Sequence, residues 1–428
     1  MLKDLEMTKS RQSYISSLGI DGRLLGMIGA LLALWIMFDF FTGGRFITPR
    51  NLFNLSVQTA SVAVMATGMV FVIVTRNIDL SVGSLLGFIG MMMGAFQVHF
   101  LPDLVGGGHW SIWMITCVFG IVLGGAIGSF QGWVIGYLTV PAFIVTLGGF
   151  LVWRGGAWWV TSGQTVAPLD TVFKLLGGGV EGTLGETMSW VLGALATIAA
   201  LCLLFLSRKR KKAHGFLVKP FWAEISVAAI IGTVIIGYAA FMNAYPVPAR
   251  AAKRIYESKG MEVPADGSTL VYGIAIPVVI LLVVAFFMTF TAKRTKFGRY
   301  VFATGGNPEA AELSGINTKM LTVKIFALMG ALTAVAAIIA SARLGSADNN
   351  LGNLDELRVI AAAVIGGTAL TGGFGTIHGA ILGALIMQSL QSGMAMVGVD
   401  APLQSIVVGV VLMLAVYVDI VYRRRAGL

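Results

Sequence analysis

The chain has 428 residues, of which 57% are hydrophobic and only 12% are Asp, Glu, Lys or Arg. Soluble domains carry roughly 25% charged residues, and soluble chains of this length divide into domains joined by polar linkers. The composition therefore excludes an ordinary soluble protein and predicts an all-α chain embedded in a lipid bilayer. The net charge of +10 comes from basic residues grouped between apolar runs, which favours a role in membrane topology over nucleic-acid binding.

Apolar runs follow one another along the sequence, and a membrane span needs about 20 such residues. Twelve candidate runs begin near Leu24, Phe53, Ser81, Ser111, Pro141, Thr187, Trp222, Thr269, Leu321, Arg358, Thr376 and Ala401. The run at 359–371 is too short to cross as a straight helix, which indicates a half-helix or a re-entrant segment. We therefore expect a polytopic fold of about 10–12 transmembrane helices.

The placement of lysine and arginine predicts the orientation, because these residues favour the cytoplasmic side. With the N-terminus inside, nineteen basic residues fall in inner segments and seven in outer loops. This predicts a cytoplasmic N-terminal segment at 1–23, a transmembrane domain at 24–422 and a cytoplasmic C-terminus at 423–428. It also places the loop 291–320 in the cytoplasm and the loop 243–268 outside.

The sequence offers no evident catalytic or metal site. The glycine-rich stretch at 366–379, GGTALTGGFGTIHG, lacks the Lys–Ser/Thr end of a phosphate-binding loop. The histidines show no metal-ligand spacing, and the two cysteines, Cys117 and Cys202, lie within apolar runs as unpaired thiols. We therefore expect no metal, no bound cofactor and no ATP hydrolysis by this chain alone.

A polar interruption lies between the second and third runs, in the segment RNIDLSVGS at 76–84. Asp79 and Ser81 are residue types that cap helix N-termini, where negative charge is also favoured. A tight inter-helix turn is one interpretation of the segment. The other is a polar break that faces a translocation pathway.

A longer polar insert, at 298–330, separates two later runs. Asn307, Pro308 and Glu309 are typical of a helix start, and Gly315 is typical of a helix end. The pattern predicts a short amphipathic helix along the membrane surface, whose small apolar residues, Ala310, Ala311 and Leu313 among them, suit a cleft on a partner. An ordinary interfacial helix is the alternative.

Four segments together carry a resemblance to a known family. They are IDLSVGS at 78–84, GGNPEAAELSGIN at 305–317, ELRVIAAAVIGGTALTGG at 356–373 and GAILGALI at 379–386. In this order they resemble the permeases of ribose/xylose-type ABC sugar importers, and the likeness runs from about residue 46 to 422. The extra basic loop and span at 208–242 are similar to the xylose-type permeases. The outer loop at 245–268 is longer than the family pattern.

The resemblance implies a permease in the bacterial inner membrane that imports a monosaccharide, with D-xylose as the first candidate. It implies a second copy of the permease, cytoplasmic ATPase subunits that bind the ATP, and a periplasmic sugar-binding protein. The residues implied to contact the ATPase are Gly305, Gly306, Asn307, Pro308, Glu309, Ala310, Ala311, Leu313, Ser314 and Gly315. The candidates for the translocation pathway are Asn77, Asp79, Ser81 and Trp153.

Other interpretations stay open at this point. The sugar could be ribose, galactose or arabinose. A stand-alone secondary transporter is less favoured because ionisable residues within the runs are scarce, and coupled transporters need them. A membrane scaffold without transport is a third class. Uptake that depends on a partner ATPase separates these classes.

Overall fold

The computed structural model describes residues 22–216, 218, 220–258 and 270–426, which form helices, turns and isolated β-bridges. Most of the predicted N-terminal segment lies outside the described residues, as do 259–268 of the predicted outer loop and 427–428. Within the described part, regular secondary structure is helical, which confirms the all-α prediction.

The described α-helices are numbered here in chain order, and a π-helical turn, Phe96–Phe100, separates α3 from α4. Their bounds are α1 Gly22–Phe41, α2 Pro49–Val74, α3 Val82–Ala95, α4 Leu101–Val105, α5 Ile112–Gly136, α6 Ala142–Thr161, α7 Thr171–Leu175, α8 Gly185–Ala213, α9 Phe221–Asn243, α10 Ala249–Ser258, α11 Ile276–Arg294, α12 Lys296–Gly306, α13 Pro308–Leu313, α14 Thr318–Leu344, α15 Asp355–Ile365, α16 Ile377–Val397 and α17 Ala401–Ala426.

Over the described residues, ten helical segments are long and apolar enough to cross a membrane. They are α1, α2, the segment Val82–Val105 that begins with α3, α5, α6, α8, α9, α11, α14 and α16. The predicted runs that begin near Arg358 and Ala401 correspond to α15, which has 11 residues, and to α17, whose apolar stretch is Ala401–Tyr417. The chain is therefore a multi-pass membrane protein.

The chain divides into two compact units. One contains Leu184–Ile274, where α8 packs against α9 and the amide of Gly185 donates to the carbonyl oxygen of Tyr272 at 3.1 Å. The other contains Met27–Thr183 and Ala275–Leu428, and α2 is buried along most of its length there. All the predicted site residues belong to this larger unit.

Glycines at every fourth position let α5 approach α14 closely within the larger unit. A Cβ at Gly124 would overlap the backbone of Gly330, and a Cβ at Gly128 would overlap the backbone of Phe326. Gly132 and Gly136 meet the backbone of α14 in the same way. Lipid offers little hydrophobic drive for helix association, so such close van der Waals packing holds the helices together.

Candidate functional site

The turn between α2 and α3 carries three of the predicted pathway residues. Arg76 has a left-handed backbone with φ of 63°, which is uncommon for a residue other than glycine. After it, Asp79 is only 2% exposed and Ser81 is fully buried. Asn77 stays local, because its side-chain amide donates to the carbonyl oxygen of Thr75 at 3.1 Å.

Asp79 folds back over the start of α3. Its Oδ1 accepts the backbone N–H of Ser81 at 2.8 Å and the hydroxyl of Ser81 at 2.6 Å. Ser81 is the N-cap residue of α3, so the geometry supports a local structural role for the carboxylate. Burial raises the pKa of Asp79 above its ordinary value, and the two hydrogen bonds from Ser81 oppose that shift. A role for Asp79 in the pathway stays a prediction.

Two polar side chains from other helices join this turn. Gln131 on α5 donates from Nε2 to the hydroxyl of Ser81 at 3.0 Å. Thr146 on α6 donates from its hydroxyl to the carbonyl oxygen of Ile78 at 3.2 Å. Both are at most 3% exposed, so the turn is held from two sides inside the unit. Sequence reasoning missed both residues, although an isolated Gln in the apolar stretch GSFQGW at 128–133 was a usable signal.

Trp153 lies beside this cluster, one turn after Gly149 on α6. A Cβ at Gly149 would lie 3.2 Å from both the Ser81 Cβ and the indole Nε1 of Trp153. The indole packs on Phe88 with ring centroids 5.3 Å apart, and its buried Nε1 finds no hydrogen-bond partner among the described residues. Three of the four predicted pathway residues, Asp79, Ser81 and Trp153, are thus brought together, and Asn77 is not.

The segment 305–315, predicted to contact the ATPase and named the coupling segment here, contains the expected short helix. Asn307 is the N-cap of α13, and its side-chain oxygen accepts the N–H of Ala310 at 3.0 Å. Pro308 occupies the first turn, and Gly315 has φ of 82° just beyond the helix end. These are the helix-start and helix-end signals that the sequence contains.

The exposure of α13 differs from the expectation at one residue. Leu313 is 91% exposed, and Glu309 and Glu312 are also exposed. Ala311 is only 4% exposed, so the expectation that it offers outward apolar surface is wrong. Ala311 faces its own chain because a single helical turn must bury one side against the fold to remain in place. The assignment of α13 as the ATPase contact stays a prediction.

The end of α12, which leads into α13, is hydrogen-bonded to the turn between α2 and α3. Arg76 donates from Nε to the carbonyl oxygen of Gly305 at 3.1 Å and from Nη2 to that of Gly306 at 2.8 Å. Val74 accepts the N–H of Gly373 at 2.9 Å, and a Cβ at Gly305 would overlap Val74. The end of α2, the start of the coupling segment and the loop before α16 therefore meet at one point.

Helix α15 and the loop that follows it make a discontinuous crossing. Asp355 at the start of α15 lines a cavity together with Val57 of α2, whereas Gly373 bonds to Val74. Val57 and Val74 are 17 positions apart on one helix, which corresponds to about 25 Å. The short run thus forms a half-helix, α15, and the chain covers the rest of the distance to the end of α2 as irregular backbone. Irregular backbone is tolerated at membrane depth where protein surrounds it.

Charged side chains gather around the start of α15. Arg358 donates to Asp355 at 2.7 Å, and Arg154 and Arg343 also attract this carboxylate. Arg154 donates from Nη1 to the carbonyl oxygen of Asn349 at 2.9 Å. Glu356 is 4% exposed. Charges at membrane depth are costly and usually mark a substrate pathway.

The described residues hold no group of three His, Cys, Asp or Glu side chains that could bind a metal ion. The cluster around Ser81 is a network of hydrogen bonds among hydroxyl, amide and carboxylate groups, in which the Ser81 hydroxyl donates to Asp79 and accepts from Gln131. Such a network can hold helices in one arrangement or bind a polar solute.

Apolar spans, a discontinuous crossing and buried polar groups at the helix ends are features typical of membrane transport proteins. The comparisons with known proteins agree. The model of the family described as "Branched-chain amino acid transport system / permease component" matches residues 186–416. The chain therefore belongs to this permease family, which is the class that the sequence resemblance indicated.

Several relatives that it resembles are sugar permeases by name. It is 36% identical to the xylose transport system permease protein XylH of Escherichia coli K12, over 94% of this chain and 92% of the relative. It is 35% identical to XylH of Haemophilus influenzae Rd, over 92% of this chain and 95% of the relative. The ribose import permease protein RbsC of Escherichia coli K12 is 31% identical, over 88% and 87%. No solved structure matches significantly.

Proposed function

We propose that this chain is the permease subunit of an ATP-driven importer of D-xylose in a bacterial inner membrane. The observation that carries the proposal is the 36% identity to a xylose permease over more than nine-tenths of both chains. The ribose permease matches less of this chain at lower identity, which makes ribose the second candidate. The cavity lined by Gln58 and Gln388 and the polar turn at Ser81, both in the larger unit, are consistent with a hydroxylated solute.

The proposed assembly contains two copies of this chain, two cytoplasmic ATPase subunits and a periplasmic sugar-binding protein. The sequence contains no phosphate-binding loop, so ATP would be bound and hydrolysed by the partner subunits. Helix α13 is the proposed ATPase contact because Leu313 is almost fully exposed on a short, well-capped helix. Both termini would be cytoplasmic, as the distribution of basic residues indicates.

In this proposal, ATP binding closes the ATPase subunits and moves α13. The two hydrogen bonds from Arg76 would pass that motion to the end of α2, a helix that is buried along most of its length. A ligand or partner shifts a conformational equilibrium only by binding the two states differently. The contacts of α13 with the ATPase and of the outer surface with the loaded binding protein would therefore differ between the inward- and outward-open states.

Reconstitution tests the proposed function. The purified chain, its partner ATPase and its binding protein are placed in proteoliposomes, and uptake of radiolabelled D-xylose and D-ribose is measured with ATP or ADP inside. We expect xylose uptake that needs ATP and all three proteins. Uptake without the ATPase would establish a secondary transporter, and ATP-dependent uptake of ribose but not xylose would replace the substrate.

A further inference from the structure

A cavity of about 490 Å³ lies inside the larger unit, between α2, α14, α15, α16 and the first turn of α17. Small-molecule sites in proteins have volumes of roughly 300–1,000 Å³, so this cavity is large enough for a ligand. Its wall carries an unusual number of uncharged polar side chains for an apolar bundle. They are Gln58, Ser61, Gln388, Gln391, Ser392 and Gln404.

Two of these glutamines are hydrogen-bonded to each other in the cavity wall. Gln388 donates from Nε2 to Oε1 of Gln58 at 2.9 Å, and the two residues belong to α16 and α2. Each amide has a carbonyl acceptor and two N–H donors, so this single bond leaves most of their capacity for another partner. A sugar hydroxyl both donates and accepts, and it can therefore bridge such a pair.

Three charged side chains, two arginines and one aspartate, line the cavity, and they interact with one another. Arg358 and Asp355 form an ion pair at 2.7 Å and neutralise each other. Arg343 also lines the cavity, and its charge is attracted to the same carboxylate. The remaining wall is aliphatic, with Val57 and Ile339 among its members, which suits the C–H surface of a sugar ring.

The position of the cavity connects it with the coupling segment. Helix α2 carries Gln58 in its first half and ends at Val74, about 24 Å further along the helix axis. There it meets Gly373, in the loop that leads into α16, the helix that carries Gln388. A displacement of the coupling segment would thus reach both helices that carry the amide pair.

We propose that this cavity is a binding site for a neutral monosaccharide within the translocation path, and that Gln58 and Gln388 bind its hydroxyl groups. The proposal rests on the proposed function and adds a location and a chemistry to it. The site holds the sugar weakly, because a strong site inside the membrane would slow its release.

The first test is transport by the complete complex with Gln58→Leu or Gln388→Leu, and with the exposed Gln164→Ala as control. We expect each leucine variant to lower xylose uptake about tenfold, the change that corresponds to one or two lost hydrogen bonds. ATP hydrolysis stimulated by loaded binding protein should persist, which shows that the complex has folded and assembled. Wild-type uptake in both leucine variants would overturn the proposal.

The second test does not depend on transport. Gln391→Cys, in a background without Cys117 and Cys202, places a thiol in the cavity wall for modification by a small methanethiosulfonate reagent. D-Xylose at high concentration should slow the modification several-fold, whereas the sugar acid D-glucuronate should not. Equal protection by mannitol, added as an osmotic control, or protection only by glucuronate would refute a neutral-sugar site.

The two proposals fail in distinguishable ways. If the wild-type complex imports a different neutral sugar, the xylose assignment fails, and the cavity is tested with that sugar instead. If xylose is imported normally but Gln391→Cys is not protected and the leucine variants transport as the wild type does, only the cavity assignment fails.

Discussion

Arg76 and Gly305 are 229 positions apart in the sequence, yet the guanidinium Nε of one donates to the carbonyl oxygen of the other at 3.1 Å. A second bond, 2.8 Å long, joins Nη2 to the carbonyl oxygen of Gly306. Arg76 makes these bonds from a left-handed backbone, a conformation that costs about 1–3 kcal/mol and is found mainly where the surrounding structure requires it. The pair joins the end of α2 to the segment that leads into α13.

We expect Arg76→Gln to uncouple transport from ATP hydrolysis. Hydrogen bonds from a charged donor contribute about 1.5–3 kcal/mol each, so losing two should loosen the connection between α12 and α2. The complex should assemble, while sugar uptake per ATP hydrolysed falls several-fold in proteoliposomes. Arg76→Gly separates the two effects of this residue, because glycine tolerates the backbone but lacks the guanidinium. Normal coupling in the glycine variant would show that the bonds are not needed.

Substitutions on α13 should separate partner contact from folding. Leu313 is 91% exposed, so Leu313→Arg should leave the chain stable in detergent while lowering co-purification of the ATPase. Ala311 is 4% exposed, so Ala311→Arg places a long charged side chain inside the chain's own fold and should lower its melting temperature. Lys211→Ala, on an exposed part of α8, is the control. Full ATPase binding by Leu313→Arg would remove α13 from the proposed interface.

Local signals in the sequence predict α13 well and its packing poorly. Asn307, Pro308 and Gly315 define the start and end of the helix through interactions with neighbouring residues, which a sequence shows directly. Which side of the helix is buried depends on α12 and α14, and six residues are too few to show a helical periodicity. The inward position of Ala311 was therefore not predictable.

The same limit applies to the polar turn and the cavity. Asp79 and Ser81 are recognisable as capping residue types. Gln131 meets Ser81 across 50 positions, and Gln388 meets Gln58 across 330. Such pairs depend on how the helices pack together, and no local pattern in one sequence specifies that. An isolated glutamine in an apolar run indicates a buried polar contact but not its partner.

Asp79→Asn should change transport more than it changes stability. Asparagine keeps the side-chain oxygen that accepts the N–H of Ser81, so the loss of stability should be at most about 1 kcal/mol. Because burial raises the pKa of Asp79, the wild type loses stability as the pH rises through that raised value, and the Asn variant does not. In thermal-denaturation scans, the difference in melting temperature between the Asn variant and the wild type should therefore shift in favour of the variant as the pH rises. We expect reduced uptake at normal expression; wild-type uptake would leave Asp79 only a structural role.

The glycine stripe of α5 should not tolerate side chains. A Cβ at Gly128 would overlap the backbone of Phe326, so Gly128→Ala must push α5 and α14 apart. Overpacking of this kind costs about 1–3 kcal/mol. Thermal unfolding in detergent should show a clear loss for Gly128→Ala and none for Gly148→Ala, because nothing lies within 4 Å of the Cβ position at Gly148. Equal melting temperatures for the two variants would contradict the close approach of α5 and α14.

Cysteine labelling should establish the orientation of the chain. Helix α9, Phe221–Asn243, is about 34 Å long and separates the basic end of α8 from α10. In a background without Cys117 and Cys202, we expect a membrane-impermeant maleimide to label Lys253→Cys in intact spheroplasts. Lys211→Cys should react only after permeabilisation, because basic residues at the end of α8 favour the cytoplasmic side. Both positions are exposed, so a difference in labelling reports the side of the membrane and not burial. Labelling of Lys211→Cys but not Lys253→Cys in intact spheroplasts would reverse the proposed topology and place α13 outside the cell, where no ATPase could bind it.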